Sequence, residues 1–310
     1  MTRHIACVIL MVPLFGMVAM AQEGVASTWP QDVPRNYVIT PFGYFHPTCV
    51  RHVLEGETVL EDGRIQYEDG SVEASAPACN YPRYSPQGVR VNGHEPTTNG
   101  WVESASAMTS TSYKRMIVTW AVPPDPGSYN GQTVFLFPGF EDYKDVVSIL
   151  QPVLQYGSSA AGGGEYWSVA AWNCCPGGTA DYSSLIGANN GTVGTIWSNC
   201  NPGVNKCATW NVEAKETGSG QTTTLTATPS EGQEFNWAFG AALEVYGITQ
   251  CDQYPSFGNT GDSFTVQLYD NEGNLINHPG WTGQVTSGIA PWCGFNVSTS
   301  PTRERLGWQP

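Results

Sequence analysis

The chain has 310 residues, of which only 13% are charged and 12% are aromatic, and its 35 glycines and 22 prolines supply many turns. This composition excludes a coiled coil, a helical bundle and a long disordered chain, which need more charge and fewer aromatic residues. The formal net charge of −14 repels phosphate backbones and anionic lipid headgroups. We therefore expect neither a nucleic acid nor a membrane as a partner.

The first 21 residues are predicted to be a secretory signal peptide. Arg3 precedes an apolar run over residues 5–20, and Ala19-Met20-Ala21 has the small-x-small pattern of a cleavage site. We therefore expect a secreted, extracellular protein. Two N-x-S/T sequons, at Asn190 and Asn296, are candidate glycosylation sites of such a protein.

Residues 22–98 form an N-terminal extension that differs in composition from the rest of the chain. It contains a hairpin with Asp62-Gly63 and Asp69-Gly70 turns between short alternating runs. The extension could be a propeptide, a covering module or an integral part of the domain. We divide the remaining chain into a β-sandwich domain over 99–300 and a tail over 301–310.

Eight cysteines remain after the signal peptide, and an even count in an exported chain favours disulfides over zinc binding or thiol catalysis. We predict the pairs Cys49–Cys79 and Cys251–Cys293, with the four middle cysteines paired among themselves. Cys174 and Cys175 are adjacent and could join only in a strained ring, so separate partners are expected for them. The other two middle cysteines are Cys200 and Cys207.

From residue 100 onward the chain is a succession of short segments rich in Thr, Val, Trp and Tyr, separated by turn residues. In chain order they are WVESASAM, RMIVTWAV, QTVFLFPGF, VVSILQPVLQYG, EYWSVAAW, GTVGTIWS, TWNVEA, QTTTLTATP, FNWAFGAALEVYGI and SFTVQLYD. No window shows a sustained helical periodicity with caps. The pattern predicts an all-β fold, an antiparallel two-sheet β-sandwich of concanavalin or jelly-roll type, preceded by the disulfide-containing extension.

Several kinds of chemistry are not supported by motifs. The sequence has no G-x-S-x-G elbow, no H-E-x-x-H pattern and no Walker or dinucleotide-binding loop, and its histidines are scattered. We therefore expect no metal site and no cofactor. Carboxylate chemistry remains, together with an aromatic surface of the kind that binds polymers.

Two polar residues interrupt apolar strands. Gln151 lies in VVSILQPVLQY, and Glu244 lies in FNWAFGAALEVYGI. A buried amide or carboxylate costs free energy unless it is satisfied, so these positions are candidates for function. Both could also lie on a solvated sheet face. Pro152, which follows Gln151, removes a ladder donor and predicts an edge strand or a bulge.

The order of these motifs resembles the glutamic peptidases, namely the eqolisins and, more distantly, the neprosin-type enzymes. The resemblance covers residues 115–270 and is carried by VFLFPGFED, SILQPVLQYG, the following Gly-rich loop, EYWSVAAW and AALEVYG. It implies a secreted two-sheet sandwich that cleaves protein or peptide substrates in acid. Departures are F-L-F-P-G-F in place of the family's Trp-Gly-Ile strand and the absence of a second glutamate downstream of Glu244.

The resemblance implies a role for each candidate residue. Glu244, with its pKa raised by burial, would act as general base and then general acid, and the Gln151 amide would donate to the oxyanion. Five aromatic residues could line the substrate cleft. They are Trp120, Tyr166, Trp167, Trp172 and Trp237.

Two other functions stay open. A jelly-roll glycoside hydrolase would pair Glu244 with Glu165 or Glu141, although both of the latter are expected to be solvated. A non-catalytic, lectin-like sandwich would bind a polysaccharide through its aromatic residues. We expect a monomer in each case.

Overall fold

The structure, a computed structural model, describes residues 29–91, 100–144, 146–256 and 261–310. The predicted signal peptide lies outside the described residues. The described chain contains three short 3-10 helices, Pro47–Cys49, Pro176–Gly178 and Cys251–Gln253. Its strands are β1 (Val38–Thr40), β2 (Gly43–Phe45), β3 (Val50–His52), β4 (Thr58–Val59), β5 (Ile65–Gln66), β6 (Arg83–Tyr84), β7 (Arg90–Val91), β8 (Trp101–Met108), β9 (Arg115–Ala121), β10 (Thr133–Glu141), β11 (Ile149–Ser159), β12 (Gly162–Cys174), β13 (Ala180–Tyr182), β14 (Ile186–Gly187), β15 (Gly191–Ser198), β16 (Thr209–Glu216), β17 (Thr222–Pro229), β18 (Trp237–Tyr246), β19 (Asp262–Tyr269), β20 (Thr282–Val285), β21 (Asn296–Thr299) and β22 (Arg303–Gly307).

Two large sheets form the sandwich. One has the strand order β20-β8-β18-β10-β11-β12-β13-β3, with β14 paired to β12, and the other has the order β17-β16-β15-β9-β19-β22-β21. All pairs within them are antiparallel except β13 with β3. The predicted all-β, antiparallel two-sheet sandwich is therefore confirmed.

Burial patterns follow the position of each strand. In β9 the buried residues alternate, with Met116, Val118 and Trp120 turned inward, because one side of this strand faces solvent. Every residue of β10 is buried, because this strand lies at the centre of its sheet and both of its sides are covered. That double cover explains why TVFLFPGFE reads as a nearly continuous apolar run.

The two faces of the nine-stranded sheet are covered by different parts of the chain. The inner face packs on the seven-stranded sheet through side chains such as Leu136, Leu154 and Leu243. The covered face carries Phe137, Val153 and their neighbours, and it packs against the N-terminal segment, residues 29–91.

The N-terminal segment is joined to the sandwich as well as laid over it. It forms a small sheet in the order β1-β2-β6-β7, and its strand β3 extends the nine-stranded sheet beside β13. Arg51 of β3 makes a buried ion pair with Asp181 of β13, with Nε–Oδ1 at 2.7 Å and Nη2–Oδ2 at 2.8 Å. The predicted boundary near residue 98 therefore does not separate two independent bodies.

The far end of the predicted domain also needs correction. Residues 303–307 form β22, which pairs with both β19 and β21 in the seven-stranded sheet. Leu306 and Trp308 are buried in the core between the sheets. Most of the stretch assigned to a tail therefore belongs to the sandwich.

Three disulfides are formed among the described residues. Cys251–Cys293 was predicted, and Cys200–Cys207 agrees with pairing among the middle four. Cys174 and Cys175 are joined to each other, so the expectation of separate partners is wrong: the chain bends tightly after β12 and brings the two sulfur atoms together. Cys49 and Cys79 are buried thiols in contact instead of a disulfide, which corrects the predicted Cys49–Cys79 pair. Disulfides favour an oxidising compartment.

Candidate functional site

The candidate site lies on the covered face, where β10 runs between β11 and β18. The register pairs Gly139 of β10 with Phe239 of β18, and it pairs Gln151 of β11 with Trp172 of β12. Because Phe140 pairs with Leu150, Gly139 lies next to Gln151 across the β10–β11 ladder. These residues form one row across the sheet.

Gln151 is fully buried, and neither atom of its amide has a hydrogen-bond partner among the described residues. Gly139 makes room for it, since a Cβ at Gly139 would lie 3.2 Å from Gln151 Cγ and 2.9 Å from the Leu150 carbonyl oxygen. A buried amide without partners is costly. This amide is the kind of donor that a substrate carbonyl could engage.

Pro152 lies in a central strand whose register with both neighbours continues through it, so neither the predicted edge position nor a bulge is found there. The pairs Leu136–Leu154 and Phe140–Leu150 place Pro152 opposite Pro138. Neither proline has an N–H to donate, so both gaps fall at one place in the ladder. Pro152 turns to the inner face, where its ring fits beside Gly194.

Glu141 lies in an environment that differs from the one predicted from the sequence. It was expected to be a solvated turn residue, but β10 continues through it and it is fully buried. Alternation along β10 puts Glu141 on the same face as Gly139, and it pairs with Ile149 and with Trp237. The signal in the sequence was the unbroken strand FLFPGFE, with the turn beginning only at Asp142.

Glu141 and Gln151 are diagonal neighbours on β10 and β11. Diagonal pairs have Cα atoms about 7–8 Å apart and remain within reach of long side chains. Both carboxyl oxygens of Glu141 lack hydrogen-bond partners among the described residues. Burial raises the pKa of the Glu141 carboxyl well above its usual value, and the charge of Asp142 raises it further. A carboxyl group and an amide, both unpartnered, therefore occupy adjoining positions.

Glu244 lies in a different row of the same face. It is fully buried and pairs with Phe135 on β10, and its Oε1 lies 2.5 Å from Tyr246 Oη, within hydrogen-bond distance. Burial raises the pKa of Glu244 to about 8.

The structure does not bring Gln151 and Glu244 together. The residue of β11 opposite Phe135 is Gln155, and Gln151 lies four residues further along, which is about 13 Å of strand. β10 also separates the two side chains, and the row of Phe137, Val153 and Ala242 fills the space between their rows. A base and an oxyanion donor must both reach one carbonyl, so this pair lacks the expected arrangement.

Only two of the five aromatic candidates are on the covered face. Trp172 is adjacent to Gln151, and Trp237 is opposite Glu141. Trp120 and Trp167 are buried in the core between the sheets, where Trp120 stacks on Phe264. Tyr166 is exposed at the rim of an open groove of about 390 Å³, formed with residues 122–125 and 188–189. These three aromatic residues therefore do not contribute to a cleft at Gln151.

The glutamate pairs considered for a glycoside hydrolase are not supported. Glu165 is exposed at the start of β12. Glu141 lies six residues along β10 from Phe135, the partner of Glu244, which corresponds to about 20 Å. The carboxyl separations that such enzymes use are about 5–9.5 Å.

The N-terminal segment closes the site. Phe42 packs edge-on against Trp172 with ring centroids 5.9 Å apart, and Tyr44 packs against Tyr246 at 5.2 Å. Just beyond the end of β12, Arg83 Nη1 donates to Cys175 Sγ at 2.8 Å. The side chains of Gln151 and Glu141 therefore have no exposed surface in this structure.

Two further properties concern metal binding and membrane spans. The described residues contain no group of three or more His, Cys, Asp or Glu side chains that could hold a metal ion. No helix within the described ranges is long and apolar enough to cross a membrane.

The chain is similar to solved structures of glutamic peptidases. One is Scytalido-glutamic peptidase with a peptide-based transition-state analogue, which is 13% identical, with 67% of this chain and 98% of that chain covered and a TM-score of 0.47. Another is SCP-B, a member of the Eqolisin family of peptidases, in a complex with the tripeptide Ala-Ile-His, at 12% identity, 68% and 98% coverage and a TM-score of 0.46. No family model matches the chain, and no curated protein matches it. The structures found are of the family that the sequence motifs resemble, and the resemblance is distant.

Proposed function

We propose that the protein is a secreted peptidase of glutamic type, latent in this structure, in which Glu141 supplies the carboxyl group and Gln151 the amide. The observation that carries this proposal is that the two side chains adjoin on one face, fully buried, with all four of their polar head atoms unpartnered. This assignment keeps the predicted Gln151 and replaces Glu244.

Each residue has a defined part in peptide hydrolysis. The ionised Glu141 carboxylate takes a proton from water as the water oxygen bonds to the peptide carbonyl carbon. The Gln151 amide donates to the oxygen that becomes negative. Glu141 then returns its proton to the leaving nitrogen as the C–N bond breaks, which restores the starting state. Trp172 and Trp237 would flank a bound peptide.

The N-terminal segment must move before a substrate can enter. Its aromatic residues occupy the space above Trp172, and Glu141 has no contact with solvent. Displacement would admit water, reduce the desolvation of Glu141 and lower its pKa toward the acidic range, where it could act as a base. We therefore propose that residues 22–98 act as the covering module considered from the sequence.

The test is digestion of denatured casein between pH 2 and pH 7 by the secreted chain. The chain is used intact, and also after cleavage at a protease site inserted in the exposed Asp69-Gly70 turn. Cleavage of casein should require that cut. Glu141→Gln should lower kcat by about 10²–10⁴-fold, and Gln151→Leu by about 10²–10³-fold.

Two control variants sharpen the assignment. Glu165→Gln, at an exposed carboxyl, should cleave as wild type does. Glu244→Gln should retain cleavage, because Glu244 is too far from Gln151 to share a substrate carbonyl. Full activity of Glu141→Gln, loss of activity only in Glu244→Gln, or no casein cleavage at any pH by the cut chain would each overturn the proposal.

A further inference from the structure

The hydroxyl of Tyr246 joins the sandwich to the N-terminal segment through hydrogen bonds. Its oxygen lies 2.7 Å from the Thr40 carbonyl oxygen, 2.8 Å from the Gly43 backbone nitrogen and 2.5 Å from Glu244 Oε1. Thr40 and Gly43 bound the turn that joins β1 to β2. All four residues are buried.

The number of available protons determines the protonation state of Glu244 in this arrangement. The Gly43 N–H can only donate, so the Tyr246 oxygen accepts from it. The Thr40 carbonyl can only accept, so it takes the single proton of the Tyr246 hydroxyl. No proton of Tyr246 is left for Glu244, so the bond between them requires Glu244 to donate. Glu244 is therefore a neutral carboxylic acid when all three bonds are made.

We infer that Glu244 and Tyr246 form a protonation-dependent latch that holds the Thr40–Gly43 turn on the covered face while Glu244 is neutral and loosens the turn when Glu244 ionises. An ionised Glu244 has no proton and would attract the Tyr246 hydroxyl proton to itself. The Thr40 carbonyl would then lose its hydrogen bond from Tyr246, which is unfavourable for a buried acceptor. The latch itself does not depend on the proposed peptidase activity. Only the inference that opening the latch helps a substrate to reach Gln151 rests on that activity.

The groups around Glu244 leave its protonation state to burial. Tyr44 of β2 and Tyr246 of β18 are the titratable side chains that face it, and burial together with the Glu244 charge raises the pKa of each tyrosine. β10 contributes Phe135 and β8 contributes Trp101, neither of which carries a charge. Since burial raises the pKa of Glu244 to about 8, the latch is closed in acid and loosens in mild alkali.

The test is amide hydrogen exchange of peptides covering residues 38–45 between pH 6 and pH 9. Observed rates are corrected for intrinsic exchange with an unstructured reference peptide, and the β16–β17 hairpin serves as an internal control. In the wild type, exchange of residues 38–45 should rise about two- to tenfold more than in the control hairpin, as expected for loss of one hydrogen bond.

Glu244→Gln is the decisive variant, because its side-chain NH₂ can donate to Tyr246 at every pH. Residues 38–45 should stay protected in it through pH 9. Tyr246→Phe should exchange faster in this segment at every pH, with no added pH dependence. If Tyr246→Phe does not fold, Glu244→Gln alone decides the matter. A wild-type chain without the extra rise, or a Glu244→Gln chain with the same rise, overturns the latch. Neither outcome depends on whether casein is cleaved.

Discussion

Two buried carboxyl groups of the nine-stranded sheet, one on each face, differ in their hydrogen-bond partners. On the inner face Glu103 Oε1 accepts from two backbone N–H groups at 2.7 and 3.4 Å, while its Oε2 has no partner among the described residues. On the covered face neither oxygen of Glu141 has a partner among the described residues, and the same is true of the neighbouring Gln151 amide. The buried Glu304 carboxyl of the seven-stranded sheet also lacks partners, so missing partners alone do not mark a site. What sets Glu141 and Gln151 apart is that two such groups lie side by side on one face, which is the arrangement that the proposed function uses.

The faces also differ in what covers them. The inner face is closed by the second sheet of the sandwich, whose strands come from the same domain. The covered face is closed by the N-terminal segment, which is attached at a few defined places. Those attachments include the Arg51–Asp181 ion pair, the pairing of β3 with β13 and the contacts at Tyr246 and Trp172. The β4–β5 hairpin of the segment also packs into the core between the sheets. The inner face therefore depends mainly on the second sheet for its cover, whereas the covered face depends on the N-terminal segment.

The largest expected effect comes from breaking the buried ion pair. Arg51→Met leaves the Asp181 carboxylate buried and unpaired, which should cost about 3–5 kcal/mol in the free energy of unfolding. The loss should appear first as opening of the N-terminal segment, measured by hydrogen exchange, and then in urea unfolding. Arg64→Met is the matched control, because the Arg64–Asp62 pair is exposed and should contribute little to stability. Equal effects of the two substitutions would contradict an integral attachment.

The second prediction concerns pH and compares one carboxyl from each face. Burial raises the pKa of Glu103 and of Glu244 to about 8, well above the value of about 4.5 that a glutamate has in an unfolded chain. Between these values the folded state holds more protons than the unfolded state. Stability should therefore be greatest below about pH 4.5 and should fall as pH rises to about 8, by a few kcal/mol for each fully buried carboxyl.

The measurement is the urea midpoint at pH 4 and at pH 8. Glu103→Gln and Glu244→Gln should each reduce the difference between the two midpoints. Each variant therefore tests the buried carboxyl group of one face. Wild-type stability that rises from pH 4 to pH 8 would show that these carboxyls are not held neutral.

The smallest effect is expected at Gly139, on the covered face of the central strand β10. Gly139→Ala places a Cβ 2.9 Å from the Leu150 carbonyl oxygen and crowds Gln151, so it should cost about 1–3 kcal/mol. Gly187→Ala is the control, because a Cβ there meets nothing within 4 Å and should change stability by less than about 0.5 kcal/mol. Chemical denaturation of both variants checks this. A neutral Gly139→Ala would mean that Gln151 is not confined as described.

Much of the fold could be read from the sequence because strand formation is local. WVESASAM and GTVGTIWS have the bounds of β8 and β15. The disulfide between Cys251 and Cys293 was also predicted. The failures at Glu141 and Pro152 share one cause, which is that pairing across the sheet is not local. Glu141 looks like a turn residue beside Asp142, and Pro152 looks like an edge residue until Pro138 is placed opposite it.

Alternation and turn residues act over a few positions, so they were enough to predict a β-sandwich whose strands carry an amide and carboxyl groups where apolar residues are usual. Which of those groups are neighbours depended instead on how the strands pair. Register sets the rows of a sheet, and the rows place Gln151 beside Glu141 and place Glu244 with Tyr246 under the Thr40–Gly43 turn. The cover of this face by the N-terminal segment could not be predicted either, because it depends on contacts between residues as far as 206 positions apart in the chain.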